Sequence, residues 1–112
     1  MSGVTPEKMI ELRTLVSRLE RSRRVHRYAS TSDAPSVDEI AAEAADSLID
    51  ICKSANVLCS LLPRLAKLDA KGAEFDDVLD DIAEELRHIH YHVVNTYLFR
   101  HVIQEPRTDP AS

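Results

Sequence analysis

The chain of 112 residues contains no tryptophan and only two glycines and two cysteines. So few glycines leave few places where the backbone can take unusual angles, which favours helices joined by a small number of turns. Three tyrosines and two phenylalanines are too sparse for a platform on which nucleic-acid bases stack. No apolar run approaches the ~20 residues of a membrane span. The N-terminal MSGVTPEKM has no basic stretch followed by an apolar block, so no signal peptide is expected and the expected compartment is the cytoplasm. Cys52 and Cys59 lie ~10 Å apart along one predicted helix, beyond disulfide reach. They are expected to be buried free thiols rather than a zinc pair, whose cysteines usually sit closer in a loop. Gly-rich phosphate loops, nucleophile elbows and H-E-x-x-H are also missing.

What is present is the balance of a globular protein: 44% apolar and 29% charged residues. The length predicts one domain, residues 1–104, followed by a tail at 105–112 that holds Pro106 and Pro110 and no apolar stripe. A net charge of −5 weighs against nucleic acid as a partner. The charge is segregated. Arg18, Arg21, Arg23, Arg24 and Arg27 crowd one segment, and seven carboxylates lie between Glu74 and Glu85.

Periodicity predicts an all-α fold, a helical bundle of three long helices and a short one, completed by dimerisation. The first helix is expected over 6–28, with Thr5 as cap, Pro6 at the first helical position and Met9, Leu12, Val16 and Leu19 as its apolar stripe. The segment ASTSDAP at 29–35 reads as a loop. Ser36 and Glu39 form a capping-box pattern that opens the second helix. Its apolar positions, from Val37 and Ala41 to Leu58 and Leu62, follow a 4-3 rhythm, that of a helix packed lengthwise on another. Pro63 is expected to end or kink it, with a short helical piece at 64–70 and a turn at Gly72. The third long helix is expected over 75–103.

That last helix carries a buried stripe, Val78, Ile82, Leu86, Ile89 and Val93, and beside it a polar line, Asp81, Glu85, His88, His92 and Asn95. The second helix presents Glu39, Glu43, Asp46 and Asp50. If the two pack antiparallel, Glu43 and Asp46 are expected to face Glu85 and His88. Oxygen ligands at one point suit Mg²⁺ or Mn²⁺, and an added imidazole shifts the preference toward a transition metal. The competing reading is a set of solvated helix edges.

The pairs Glu43-x-x-Asp46 in AAEAADSLIDI and Glu85-x-x-His88 in EELRHIHYHVVN resemble the E-x-x-E and E-x-x-D motifs of the all-α nucleoside-triphosphate pyrophosphohydrolases. That group includes the MazG-like enzymes, the dimeric dUTPases and the phosphoribosyl-ATP pyrophosphohydrolases. YHVV at 91–94 and the Arg-rich RSRRVHRY are similar to neighbouring segments of the group, so the likeness spans about residues 10 to 98. Asp46 stands where the group has glutamate, and His88 where it has aspartate. The resemblance implies metal-assisted attack of water on a nucleotide phosphorus, or nucleotide and metal binding without hydrolysis. It implies Glu43 and Glu85 in catalysis, and Glu43, Asp46, Glu85 and His88 around the metal. Arg23, Arg24 and Lys53 would meet phosphate.

Three alternatives come from other features. Arg87 and His92 match the R-x(4–6)-H spacing of HEPN ribonucleases, although on a straight helix they point ~140° apart. Glu85-x-x-His88 is one copy of a motif that ferritin-like di-iron sites need twice. Apolar residues off the main stripe, Val94, Leu98 and Val102, suit a small interaction module that binds a protein partner or forms a homodimer.

Overall fold

A computed structural model describes residues 6–106, and within that range every regular element is helical. The elements are α1 (Pro6–Glu20), α2 (Arg23–Ala29), α3 (Val37–Lys67), α4 (Ala73–Asn95) and α5 (Tyr97–Gln104). None of them is long and apolar enough to cross a membrane. The all-α expectation holds. Thr5 and most of the predicted tail lie outside the described residues.

Two of the expected long helices are each split in two. Arg21 and Ser22 close the end of α1 with short-range bonds to Arg18 and Leu19. Ser22 then turns extended, and its hydroxyl accepts from the Val25 amide, which starts α2 as a new helix. His26 donates from Nε2 to the Glu20 carbonyl at 2.7 Å, pairing a group that α1 leaves free. At the other end, Thr96 takes ψ 120 and separates α5 from α4. Glu43 of α3 supplies the cap that Thr96 does not, accepting from the Tyr97 amide at 2.9 Å. Neither break has a glycine or proline to announce it.

The opposite departure occurs at Pro63. α3 passes straight through it and ends four residues later, so there is no separate piece at 64–70. Proline removes the bond to the Cys59 carbonyl, and both residues are exposed, so water can pair that carbonyl. At its start α3 has the full capping box. The Glu39 amide donates to Ser36 Oγ at 3.2 Å and the Ser36 amide to Glu39 Oε1 at 3.0 Å. The Ser36 amide and hydroxyl hold the Glu39 carboxyl below the usual range.

α3, ~46 Å long by its 31 residues, is the spine. α4 runs antiparallel along one side of it, and α1 packs along another without touching α4. α2 and α5 meet each other and the N-terminal part of α3. The core lies there: Val25, Tyr28, Ile40, Ala44 and Leu98 are buried, with Leu19, Val37, Tyr97, Phe99 and Val102 packed around them. Ala41, Ala44 and Ala45 are fully buried, so small side chains let neighbouring helices come close to the spine. α1 buries none of its residues and α4 only Val78. The thiols of Cys52 and Cys59 are free as expected, but exposed rather than buried.

Glu105 locks this end. Its carboxylate accepts from Tyr28 Oη at 2.8 Å and from Arg24 Nε at 3.1 Å, and it also meets the Arg27 guanidinium. The Tyr28 hydroxyl, with the two arginines, holds this carboxyl below its ordinary value. A depressed carboxyl stabilises the fold above the unfolded value of about 4.3, and the contribution is lost as pH falls through the folded value. Glu105→Gln should therefore lower the melting temperature at neutral pH, with the gap to the native chain closing on acidification. Circular-dichroism melts across the acid range check this, and a gap independent of pH would refute it.

Candidate metal centre

α3 and α4 meet through polar side chains. Ser47 and Ser54 of α3 are buried, as is Thr96 at the end of α4. Facing them from α4 are His88 and His92, one helical turn apart and so on one face. Ser54 Oγ lies 2.6 Å from His88 Nδ1, and Ser47 Oγ 3.3 Å from His92 Nδ1. Ser47 also bonds Thr96 Oγ1 at 2.8 Å. Among the described residues no buried side-chain polar atom lacks a partner.

With their Nδ1 atoms held by the serines, both imidazoles turn Nε2 the same way. The two Nε2 atoms stand 3.1 Å apart, and Asp50 Oδ2 is 3.4 Å from that of His92. All three candidate ligand atoms fall within 4.8 Å of one another. A tetrahedral ion with bonds of ~2.0–2.1 Å separates neighbouring ligand atoms by about 3.3 Å. The His88–His92 and His92–Asp50 spacings, 3.1 and 3.4 Å, match that value. The rings lie edge to face with centroids 4.6 Å apart, and Tyr91 packs its ring 5.5 Å from that of His92.

The tautomers are consistent with this use. If each Nδ1–H donates to its serine, each Nε2 carries a lone pair for a metal, and the serines act as the outer partners that orient ligating histidines. Where the two Nε2 atoms bond each other, as their 3.1 Å separation allows, one of them carries the proton instead. The side chains then form a continuous hydrogen-bonded line, Thr96–Ser47–His92–His88–Ser54, that joins the two helices. His92 is largely covered, its side chain 14% exposed, whereas Asp50 is 43% exposed and His88 is exposed. The centre therefore has one open side.

Of the four residues expected around a metal, only His88 belongs to this cluster. Glu43 caps α5. Asp46 is exposed on the outer flank of α3, and Glu85 is half-buried without joining the cluster. The antiparallel register explains why. Ser54 meets His88, Ser47 meets His92 and Glu43 meets Tyr97. At that register Glu85 is level with about residue 56 of α3, roughly 20 Å along the axis from Glu43. The two expected pairs thus lie at different levels of the hairpin.

The expected phosphate ligands are also dispersed. Arg23 and Arg24 stand on α2, which does not touch α4, and Arg24 pairs with Glu105. Lys53 is exposed on α3 just before Ser54. Arg87 pairs with Glu84 on the outer face of α4 while His92 turns to α3, so the R-x(4)-H residues do not meet within one chain. His90 is exposed, and His101 bonds the Tyr97 carbonyl and packs on the Tyr28 and Tyr97 rings. The signal for His88 and His92 was in the sequence, as two histidines at helical ligand spacing. Asp50 had no such signal, because only the interhelical register selects it from the acids of α3.

These positions separate the role of Glu43 from that of a ligand. Glu43→Ala should cost on the order of 1 kcal/mol, as the loss of a helix cap does. It should also raise amide exchange at Tyr97 and the first turn of α5. Hydrogen exchange followed by NMR checks this, and protection unchanged in the variant would refute the capping role.

No family model, no curated protein and no solved structure matches the chain.

Proposed function

We propose that this chain is a metal-binding helical protein that holds one divalent transition-metal ion through Asp50 Oδ2, His88 Nε2 and His92 Nε2. The observation that carries the reading is the convergence of these atoms while each ring's other nitrogen is held by a serine. Two imidazoles and one carboxylate favour Zn²⁺ or Fe²⁺-class ions over the Mg²⁺ or Mn²⁺ expected from an all-oxygen site. Three protein ligands leave a coordination position for water or a substrate atom. A zinc-type ion lowers the pKa of such a water to about 7, and it can also polarise a bound oxygen.

Nucleotide pyrophosphohydrolysis, implied by the resemblance, is the second reading. What favours it is the open side of the centre beside Asp50 and His88, where a phosphate could approach. It would proceed through the histidine centre rather than through a Glu43, Asp46 and Glu85 cage. Pyrophosphate release from a nucleoside-triphosphate panel, lost in His92→Ala, is the result expected under this reading. Metal binding without any release supports the binding role alone.

In a Cys52→Ser, Cys59→Ser background, Zn²⁺ and Co²⁺ should raise the melting temperature, and Mg²⁺ should not. His92→Ala and Asp50→Asn should abolish the shift. Ser54→Ala should weaken affinity about 10- to 100-fold by freeing the His88 ring, and Glu43→Ala should leave affinity unchanged. Affinity should fall in acid, because ligating imidazoles must be neutral. Calorimetric titration decides the matter. Equal response to Mg²⁺, or retention of the shift in His92→Ala, would sink the assignment.

A further inference from the structure

α4 uses one flank for α3 and leaves its apolar stripe only half covered. Phe75, Leu79, Ile82, Leu86, Ile89 and Val93 recur at intervals of four and three over ~28 Å, the repeat of a helix that packs lengthwise on a partner. Phe75, Ile82, Ile89 and Val93 are half-buried, whereas Leu79 is 43% and Leu86 52% exposed. α1 does not reach this stripe. Ser47, Asp50 and Ser54 turn toward α4, and His88 and His92 toward α3. Helical phase then puts Leu58 and Leu62 of α3 on the same side of the hairpin as the α4 stripe. Leu62 is 56% exposed. The result is one apolar face two helices wide.

We propose that this face is covered by a second copy of the chain, with the two α4 helices antiparallel about a two-fold axis near Ala83. This makes the α3–α4 hairpins into a four-helix bundle. Charge selects the direction. The first half of α4 holds seven carboxylates from Glu74 to Glu85, and the second half, from Leu86 to Asn95, holds none and carries Arg87. A parallel pair would set acid against acid, which costs stability, whereas an antiparallel pair sets each acidic half against one without carboxylates.

The stripe fixes the register. Layers in an antiparallel pair form when Phe75 meets Val93 of the partner subunit, Leu79 meets the partner's Ile89, and Ile82 meets the partner's Leu86. On the flank away from α3 that register brings Asp76 beside His90 of the partner subunit. Ala83 comes beside the partner's Ala83, where a methyl lets the backbones approach closely. A face ~28 Å long and two helices, about 20 Å, wide covers on the order of 600 Å² per chain, roughly 1,200 Å² in total, the lower end of specific interfaces. The inference is independent of the metal assignment, since it uses the other side of α4.

Sedimentation equilibrium should give twice the 12.6 kDa chain mass. Leu86→Glu should keep its helical circular-dichroism spectrum and weaken the dimer about thirtyfold or more. Cysteine placement tests the register even where that variant loses structure. In a Cys52→Ser, Cys59→Ser background, Ala83→Cys should cross-link to a dimer on mild oxidation or with a short bismaleimide. Asp76→Cys alone should not cross-link, whereas Asp76→Cys combined with His90→Cys should. A monomeric mass at tens of micromolar, a dimer indifferent to Leu86→Glu in a folded variant, or Asp76→Cys self-linking without Ala83→Cys linking would each overturn the proposal.

Discussion

The pairing of buried serines on α3 with imidazoles on α4 sets the geometry of the rest of the molecule. A seam of leucines tolerates sliding, because apolar contact is not directional. Ser54 against His88 and Ser47 against His92 does not, since a shift of one residue leaves buried polar atoms unpaired. This register places Glu43 at the start of α5 and Thr96 against Ser47, so it also determines where the last helix turns. α5 in turn packs Leu98 against Val25 and Tyr28, closing the core at that end.

The same polar seam accounts for how little of α4 is buried. A helix that gives one flank to hydrogen bonding has its apolar stripe rotated partly out of the contact. That rotation brings His88 and His92 onto Asp50 and at the same time leaves Leu79 and Leu86 open. The proposed metal centre and the proposed subunit interface are thus two sides of one choice of helical phase. α1 adds no fully buried side chain to the single chain, and only its Leu19 packs against the core.

The sequence readings that held depend on local chemistry. Ser36 with Glu39 and the stretch that follows them needed only capping and periodicity, and the helix expected from about residue 75, which begins at Ala73, needed only periodicity. The readings that changed are those where a distant group intervened. Ser22 starts a new helix where its hydroxyl can cap, and Thr96 breaks α4 where Glu43 from another helix takes the next amide. Pro63 does not end α3; both it and Cys59, whose carbonyl loses its helical partner, are exposed, so water can pair that carbonyl.

The sequence by itself determined an all-α chain, the main helical segments, and two histidines placed four apart on one face of a helix, because these follow from spacing along a single element. Which carboxylate meets those histidines was decided only by the tertiary structure. Glu43, Asp46 and Asp50 are alike in chemistry and all lie on α3. Glu43 is level with α5, Asp46 turns outward, and Asp50 reaches His92. That difference is one of interhelical register and phase, set by the Ser–His contacts between α3 and α4, and no property of either helix alone encodes it.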